Sequence, residues 1–335
     1  MNEAPSTTHP FDLLTPDMIL DAVESRGVVT DGRFLALNSY ENRVYQVGIE
    51  DGVPLIAKFY RPERWSDEQI LEEHQFIAQL TDAELPVVAP LSEDDSENGA
   101  TLSCYKDFRF SLFPRKGGHA PELDNDNHIF ILGRFLARLH NVGSVTPFQK
   151  RPTLNSQAFG HEAVAFVTEH FVPPELRTAY TSLTRDLLQA VDEKIASAGE
   201  IENIRTHGDC HVGNVLWRDD NPHFIDLDDA RMAPAIQDMW MLLSGDRESQ
   251  TRQIAEIIDG YEEFRSFNPR ELHLIEPLRT LRMMHFAAWI GRRWDDPAFP
   301  KAFPWFNSPR YWGDEILNLR SQMAELNEPV LRLQP

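Results

Sequence analysis

The chain carries 335 residues, 41% of them hydrophobic and 25% charged, which suffices for two separate cores and excludes a disordered class. Against 32 Lys plus Arg stand 53 Asp plus Glu, a formal net charge of -21, so the surface repels nucleic acid and anionic membrane and neither is expected as a partner. Only Cys104 and Cys210 occur, which rules out a disulfide framework and fits a reducing compartment.

The first 25 residues hold no Lys or Arg, so nothing there reads as a signal peptide. No apolar run approaches the roughly 18 residues needed to span a bilayer, and a cytoplasmic monomer is the expectation. Thr15-Pro16 reads as an N-cap followed by proline at the first helical position, with Gly27 as the helix end. Strand-like runs follow: RFLALNSY, RVYQVGIE and PLIAKFY, the last two joined by the hairpin signal Asp51-Gly52. Ser66 to Gln69 forms a capping box that opens a helix running to about Leu80. Pro86 to Leu91 and Leu102 to Phe113 read as further strands. The first part is therefore a small antiparallel sheet with one inserted helix.

Pro114 to Gly118 breaks this pattern, and helical periodicity dominates afterwards. Ile129, Leu132, Leu136 and Leu139 recur at helix spacing, with Asn141 and Gly143 near the end. Residues 175–198, 235–264, 271–294 and 314–327 also fit helices. The expected class is α+β with two lobes: residues 1–113 a sheet-rich lobe, 114–118 a hinge, and 119–335 a larger helical lobe.

Three chemistries compete for HGDCHVGNVL, from His207 to Leu216. Structural zinc needs four ligands, usually with a second Cys or His pair, and none is evident because Cys104 is isolated. A redox role for Cys210 needs a lowered pKa and exposure, so small buried filler is the better reading of it. A transferase loop fares better because the spacing continues. Asp209 precedes Asn214 by five residues, strand-like VLW follows, and a polar turn at Arg218–Asn221 leads into HFIDLDDA with Asp226 at a strand end. A hairpin of that length carries Asn214 and Asp226 to the same end, beside Asp209. Phosphoryl transfer needs such a set: one carboxylate takes the acceptor hydroxyl's proton, while an amide oxygen and a second carboxylate hold Mg²⁺ against the phosphates.

Phosphate handling also calls for a lysine on an inner strand, paired to a glutamate on the neighbouring helix. Lys58 in LIAKFY alternates with apolar neighbours. Glu72 and Glu73 are the candidate partners, and periodicity separates them, because Glu73 shares the face of Ile70, Ile77 and Leu80. A glutamate on the buried face needs a cation to offset its desolvation, which favours Glu73 with Lys58.

LNSYENRVYQV, KFYRPERW, ILEEHQF, HGDCHVGNVLWRD, DLDDAR, QDMWMLL and DPAFPKAFPW together resemble the protein-kinase-like phosphotransferases, the branch that contains aminoglycoside and choline kinases. The resemblance covers nearly the whole chain. HGDCHVGN and IDLDD mark the broad family, whereas LNSYENRVYQ with KFYRPERW is narrower and resembles its bacterial stress-response serine/threonine protein kinases. It implies a bilobal protein-kinase-like fold with ATP and Mg²⁺ between the lobes. It assigns Asp209 as proton acceptor, Asn214 and Asp226 as Mg²⁺ ligands, Asp226 as a catalytic residue too, and Lys58 with Glu73 as the phosphate-orienting pair. Leu112 to Arg115 becomes the adenine-contacting segment, and Asp238 a brace for the catalytic loop. The implied acceptor is a protein serine or threonine, with the enzyme's own chain among the acceptors. A small-molecule hydroxyl kinase is the alternative of the same class, and a nucleotide-binding pseudokinase the alternative of another.

Two departures stand out. The turn NSYEN contains no glycine, where protein kinases place a glycine-rich loop over the phosphates. Ser39, which matches an ATP-contact position of the resembled kinases, could supply its hydroxyl instead. DLD stands where protein kinases have DFG, with no A-P-E downstream. The aromatic run RRWDDPAFPKAFPWF, preceded by Arg279 and Arg282 and itself opening on Arg292 and Arg293, reads first as packing for a carboxyl-terminal helix and second as a docking surface.

Overall fold

A computed structural model describes residues 9–93 and 99–331. They fall into two units: Met1–His119 with Leu216–Asp219 and His223–Asp228, and Ala120–Val215 with Asp220–Pro222 and Asp229–Pro335.

The first unit begins with helix α1 (Pro16–Glu24), whose amino terminus is capped by the Thr15 hydroxyl. Strands β1 (Thr30–Ala36), β2 (Arg43–Ile49) and β3 (Leu55–Phe59) form an antiparallel meander. Asp51 takes the left-handed conformation in the turn between β2 and β3, φ 54°. Helix α2 (Asp67–Asp82) follows, opened by a complete Ser66–Gln69 capping box. Strands β4 (Ser103–Tyr105) and β5 (Phe108–Pro114) complete a five-stranded sheet in the order β1-β2-β3-β5-β4. Side chains alternate across β3, so Ala57 and Phe59 join Val47, Phe110 and Leu112 in a core covered by Ile19, Ala22 and Val23 of α1. Lys58 therefore faces the other side of the sheet.

Two expected strands come out differently. Pro86–Leu91 makes only an isolated bridge, Val87 to Phe224, because Pro86 and Pro90 have no N–H to extend a ladder. Leu102–Phe113 divides into two strands at Lys106, whose φ of 52° folds the chain back.

The second unit is helical: α3 (Asp126–Gly143), α4 (Glu162–His170) and α5 (Pro174–Ala198) precede the short strand β6 (Ile204–Thr206). Strands β7 (Val215–Arg218) and β8 (Asn221–Phe224), most of whose residues belong to the first unit, pair across a turn in which Asp219 and Asp220 both have positive φ, the geometry that suits a two-residue hairpin. Strand β9 (Arg231–Ala233) pairs antiparallel with β6. Helices α6 (Gln237–Trp240), α7 (Arg247–Glu262), α8 (Ile275–Gly291), α9 (Ala298–Ala302) and α10 (Pro309–Asn327) complete it. The expected helix over 235–264 is broken: Gly245 turns the chain at φ 79° and the Asp246 side chain caps α7 by accepting from Ser249 N. The expected helix over 271–294 likewise starts as a 3-10 turn, Pro269–Leu274, before α8.

Helices α3 and α7 touch backbone to backbone. A Cβ on Gly133 would lie 2.0 Å from the Ile257 carbonyl oxygen, and one on Gly260 would lie 2.0 Å from that of Phe130. No larger residue fits either place.

Candidate active site

In the first unit the register puts Lys58 opposite Val44 and Ser111, in the middle of the sheet. Its side chain is 7% exposed, and its ammonium lies 2.9 Å from Asp226 Oδ1 and 2.9 Å from Asp228 Oδ1. Glu73, 1% exposed on α2, adds a third carboxylate to the field at Lys58. Burial by itself would lower the lysine pKa, but Asp226, Asp228 and Glu73, with a smaller effect from Tyr60, raise it well above its ordinary value. Glu72 is the more exposed of the two glutamates, as the periodicity requires. On the same side of the sheet Tyr60 Oη bonds His74 Nε2 at 2.9 Å, and His74 Nδ1 bonds Thr101 Oγ1 at 2.8 Å. These contacts tie α2, and so Glu73, to the sheet.

Asp226 follows β8 with φ 58°, a backbone conformation that costs a non-glycine residue about 1–3 kcal/mol and tends to occur at functional sites. Its side chain is 53% exposed, whereas Asp228 is nearly buried at 5%. Arg64 bonds Asp228 Oδ2 and lies near Glu41. Thus Asp228 sits between two cations and turns inward, while Asp226 keeps an oxygen available outward. Sequence reasoning missed Asp228 and Arg64. The second carboxylate of IDLDD, two positions after Asp226, and the arginine within RPERW were the available signals.

Ser39 lies half-buried in the β1–β2 turn, where its hydroxyl donates to the Asn42 carbonyl at 3.2 Å. Leu112 packs its side chain into the sheet core, and Arg115 donates to Gln46 Oε1 at 2.7 Å.

In the second unit the stretch after β6 is held by one buried carboxylate. Asp238 is fully buried and accepts from His207 N at 2.7 Å and Gly208 N at 2.9 Å, with His140 Nε2 at 3.1 Å. The other nitrogen of His140 bonds Tyr261 Oη at 3.0 Å. Gln237 Nε2 adds a bond to the Gly208 carbonyl at 2.9 Å. Gly208 itself has φ 83°, and a Cβ there would lie 2.1 Å from the Asp229 carbonyl oxygen, so only glycine fits.

This frame presents Asp209. Asn214 Nδ2 donates to the Asp209 carbonyl at 3.0 Å, which leaves its Oδ1 as the remaining acceptor. Arg282 of α8 bonds Asp209 Oδ1 at 2.6 Å, and His211 Nε2 lies 3.5 Å from Oδ2. His211 Nδ1 accepts from Gly213 N, so the proton belongs on Nε2, facing the carboxylate. Burial raises the Asp209 pKa, but the His211 hydrogen bond and the Arg282 charge outweigh it and hold the group below its usual range. A carboxylate ionised at neutral pH can accept a proton. Sequence reasoning did not place Arg282 here, since its partner lies 73 positions away.

Cys210 is fully buried, and burial, with Asp238 and Asp209 adding to it, pushes its thiol well above its ordinary value. It is packing, not a reactive thiolate.

The two units thus bring Lys58, Glu73 and Asp226 together in one and Asp209 and Asn214 together in the other. A kinase-like phosphotransferase fold is the class these features define, and the chain belongs to the APH phosphotransferase enzyme family, which residues 33–275 match. Over 326 residues it is 45% identical to the stress response kinase A of Escherichia coli, across 97% of each chain. It is 44% identical, with the same coverage, to the serine/threonine protein kinase RdoA of Salmonella typhimurium. Solved structures repeat the fold. An amicoumacin kinase in complex with AMP-PNP, Ca²⁺ and Ami superimposes with a TM-score of 0.69 at 18% identity, covering 91% of this chain and 92% of its own. A microcompartment-associated aminopropanol kinase gives 0.68 at 17%, covering 93% and 99%. Among the described residues no helix is long and apolar enough to cross a membrane.

Proposed function

We propose that this phosphotransferase moves the γ-phosphoryl group of ATP to the hydroxyl of a protein serine or threonine. What carries the reading is identity of 44–45% along 97% of the chain to kinases named for stress response and for serine/threonine specificity. The small-molecule kinases that share the fold do so at 17–18% identity, which speaks for the fold alone.

In this reading residues 1–113 bind the nucleotide and 119–335 carry the base and the acceptor, with 114–118 as the hinge. Lys58, oriented by Glu73, pairs with the ATP phosphates, and Ser39 contributes its turn in place of a glycine-rich loop. Asp209 takes the proton of the acceptor hydroxyl. Asn214 and Asp226 each offer an oxygen to Mg²⁺, which would neutralise charge on the phosphates. Such hard donors suit this ion, and it takes few protein ligands beside phosphate oxygens. Among the described residues no three His, Cys, Asp or Glu side chains converge as a dedicated metal cage.

The test is transfer of label from γ-labelled ATP. A generic protein such as myelin basic protein should acquire label on serine or threonine, with the enzyme's own chain examined alongside. Aminoglycosides and choline should show no turnover above background. Phosphorylation of either small molecule with no labelled protein would overturn the reading.

A further inference from the structure

Phe299 and Phe306 of the aromatic run after α8 are fully buried against α5 and α8, as its packing reading expects, beside Trp312 of α10. Trp305 of the run is 43% exposed, and Phe286, within α8 itself, is 44% exposed. Phe286 stacks on Trp289, with centroids 5.7 Å apart at 16°, and both rings approach Phe303, which in turn lies 5.8 Å from Trp305. Phe286 and Trp305 are thus the exposed ends of one aromatic cluster whose middle, Trp289 and Phe303, is half-buried, and a contiguous apolar patch of this kind marks a contact surface.

The row starts at the base. Arg282, 44% exposed, reaches Asp209 from the same helix face, four residues before Phe286 and seven before Trp289. Arg293 follows at the far end of that face, its guanidinium 5.3 Å from the Trp289 ring centroid. A cationic and aromatic strip of this kind is anomalous on a chain of net charge -21. Its complement is a segment that is acidic next to the reacting hydroxyl and apolar further along.

We propose that this face of α8 docks the acceptor as an acidic peptide segment, and that Arg282 determines specificity. This rests on the protein-acceptor reading above. Before the acceptor binds, Arg282 occupies one oxygen of Asp209. A Glu or Asp beside the acceptor serine gives Arg282 an alternative partner, and Asp209 Oδ1 is released to accept the hydroxyl proton. A neutral neighbour leaves the hydroxyl to compete with the guanidinium for that oxygen. The stretch from Arg282 to Trp289 measures about 10 Å along the helix, close to three residues of extended peptide. The preferred acceptor therefore has an acidic residue adjacent to the serine and an aromatic or large apolar residue about three positions beyond the acid.

The experiment compares kcat/KM for two peptides that differ only by Glu or Gln beside the serine, using wild type, Arg282→Met and Phe286→Ala. Wild type should favour the acidic peptide by about tenfold, the worth of one charge-assisted hydrogen bond. Arg282→Met should bring the ratio close to one with an unchanged melting temperature. Phe286→Ala should raise KM for both peptides and keep the ratio. Equal use of the two peptides by wild type, or a preference that survives Arg282→Met, would overturn the inference and leave the protein-acceptor reading standing. Label on a small-molecule alcohol and on neither peptide would overturn both.

Discussion

Replacing Asp238 by Asn changes one atom, yet it should cost both stability and turnover. The carboxylate is fully buried and accepts two backbone N–H groups, at 2.7 and 2.9 Å, as well as His140 Nε2. An amide in its place keeps one accepting oxygen and turns an NH₂ toward a donor, so a buried N–H loses its partner. Hydrogen bonds to a charged group are worth about 1.5–3 kcal/mol, and a buried donor left without its partner costs about 1–3 kcal/mol. Taking about 3 kcal/mol, and about 2–4 °C per kcal/mol for a body of roughly 200 residues such as the second unit, the melting temperature should fall by about 6–12 °C. His207 and Gly208 immediately precede Asp209, so phosphoryl transfer measured well below the transition should fall too, while nucleotide affinity holds because Lys58 and Asp226 belong to the first unit. Differential scanning fluorimetry, nucleotide titration and a transfer assay on one preparation check this. A variant that melts and turns over like wild type would refute the bracing role.

Lys58→Met should destabilise the protein by about 3–5 kcal/mol, because Asp226, Asp228 and Glu73 lose their shared cation. Gly260→Ala should cost about 1–3 kcal/mol in thermal melts, because its Cβ would lie 2.0 Å from the Phe130 carbonyl oxygen and α3 and α7 must separate. Glu315 is pushed up to about 7 by burial, against a usual value of 4.5. The folded state holds its proton more tightly, so its stability contribution is full below about 4.5 and is lost as pH rises through 7. Gln does not ionise, so Glu315→Gln should gain up to about 3 kcal/mol relative to wild type at pH 8 and nothing at pH 4, read as paired melting curves.

The elements that sequence made legible are those with a local signature. The Ser66 capping box, the Asp51 turn and the alternation around Lys58 each act through near neighbours, and helical periodicity sufficed to choose Glu73 over Glu72. What stayed hidden depends on distant partners or on single backbone conformations. Pro86 to Leu91 has strand-like composition, but Pro86 and Pro90 lack the N–H groups that would extend its single bridge into a ladder. The stretch 235–264 is apolar at helix spacing on both sides of Gly245, yet α6 stops at Trp240 and the chain turns at the positive φ of that glycine before α7 begins. At the site, Asp209, Asn214 and Asp226 could be proposed from spacing because the hairpin that joins them is short. Arg64 to Asp228 and Arg282 to Asp209 join residues 164 and 73 positions apart, and no periodicity reports such a pair.

Asp209 is proposed as the base of the phosphoryl transfer, and the sharpest test of that role is Asp209→Asn under single-turnover conditions. Mg-ATP affinity should stay close to wild type while transfer to the protein acceptor slows by about 10²–10⁴-fold, the usual worth of a positioned general base. Transfer at more than half the wild-type rate would contradict it.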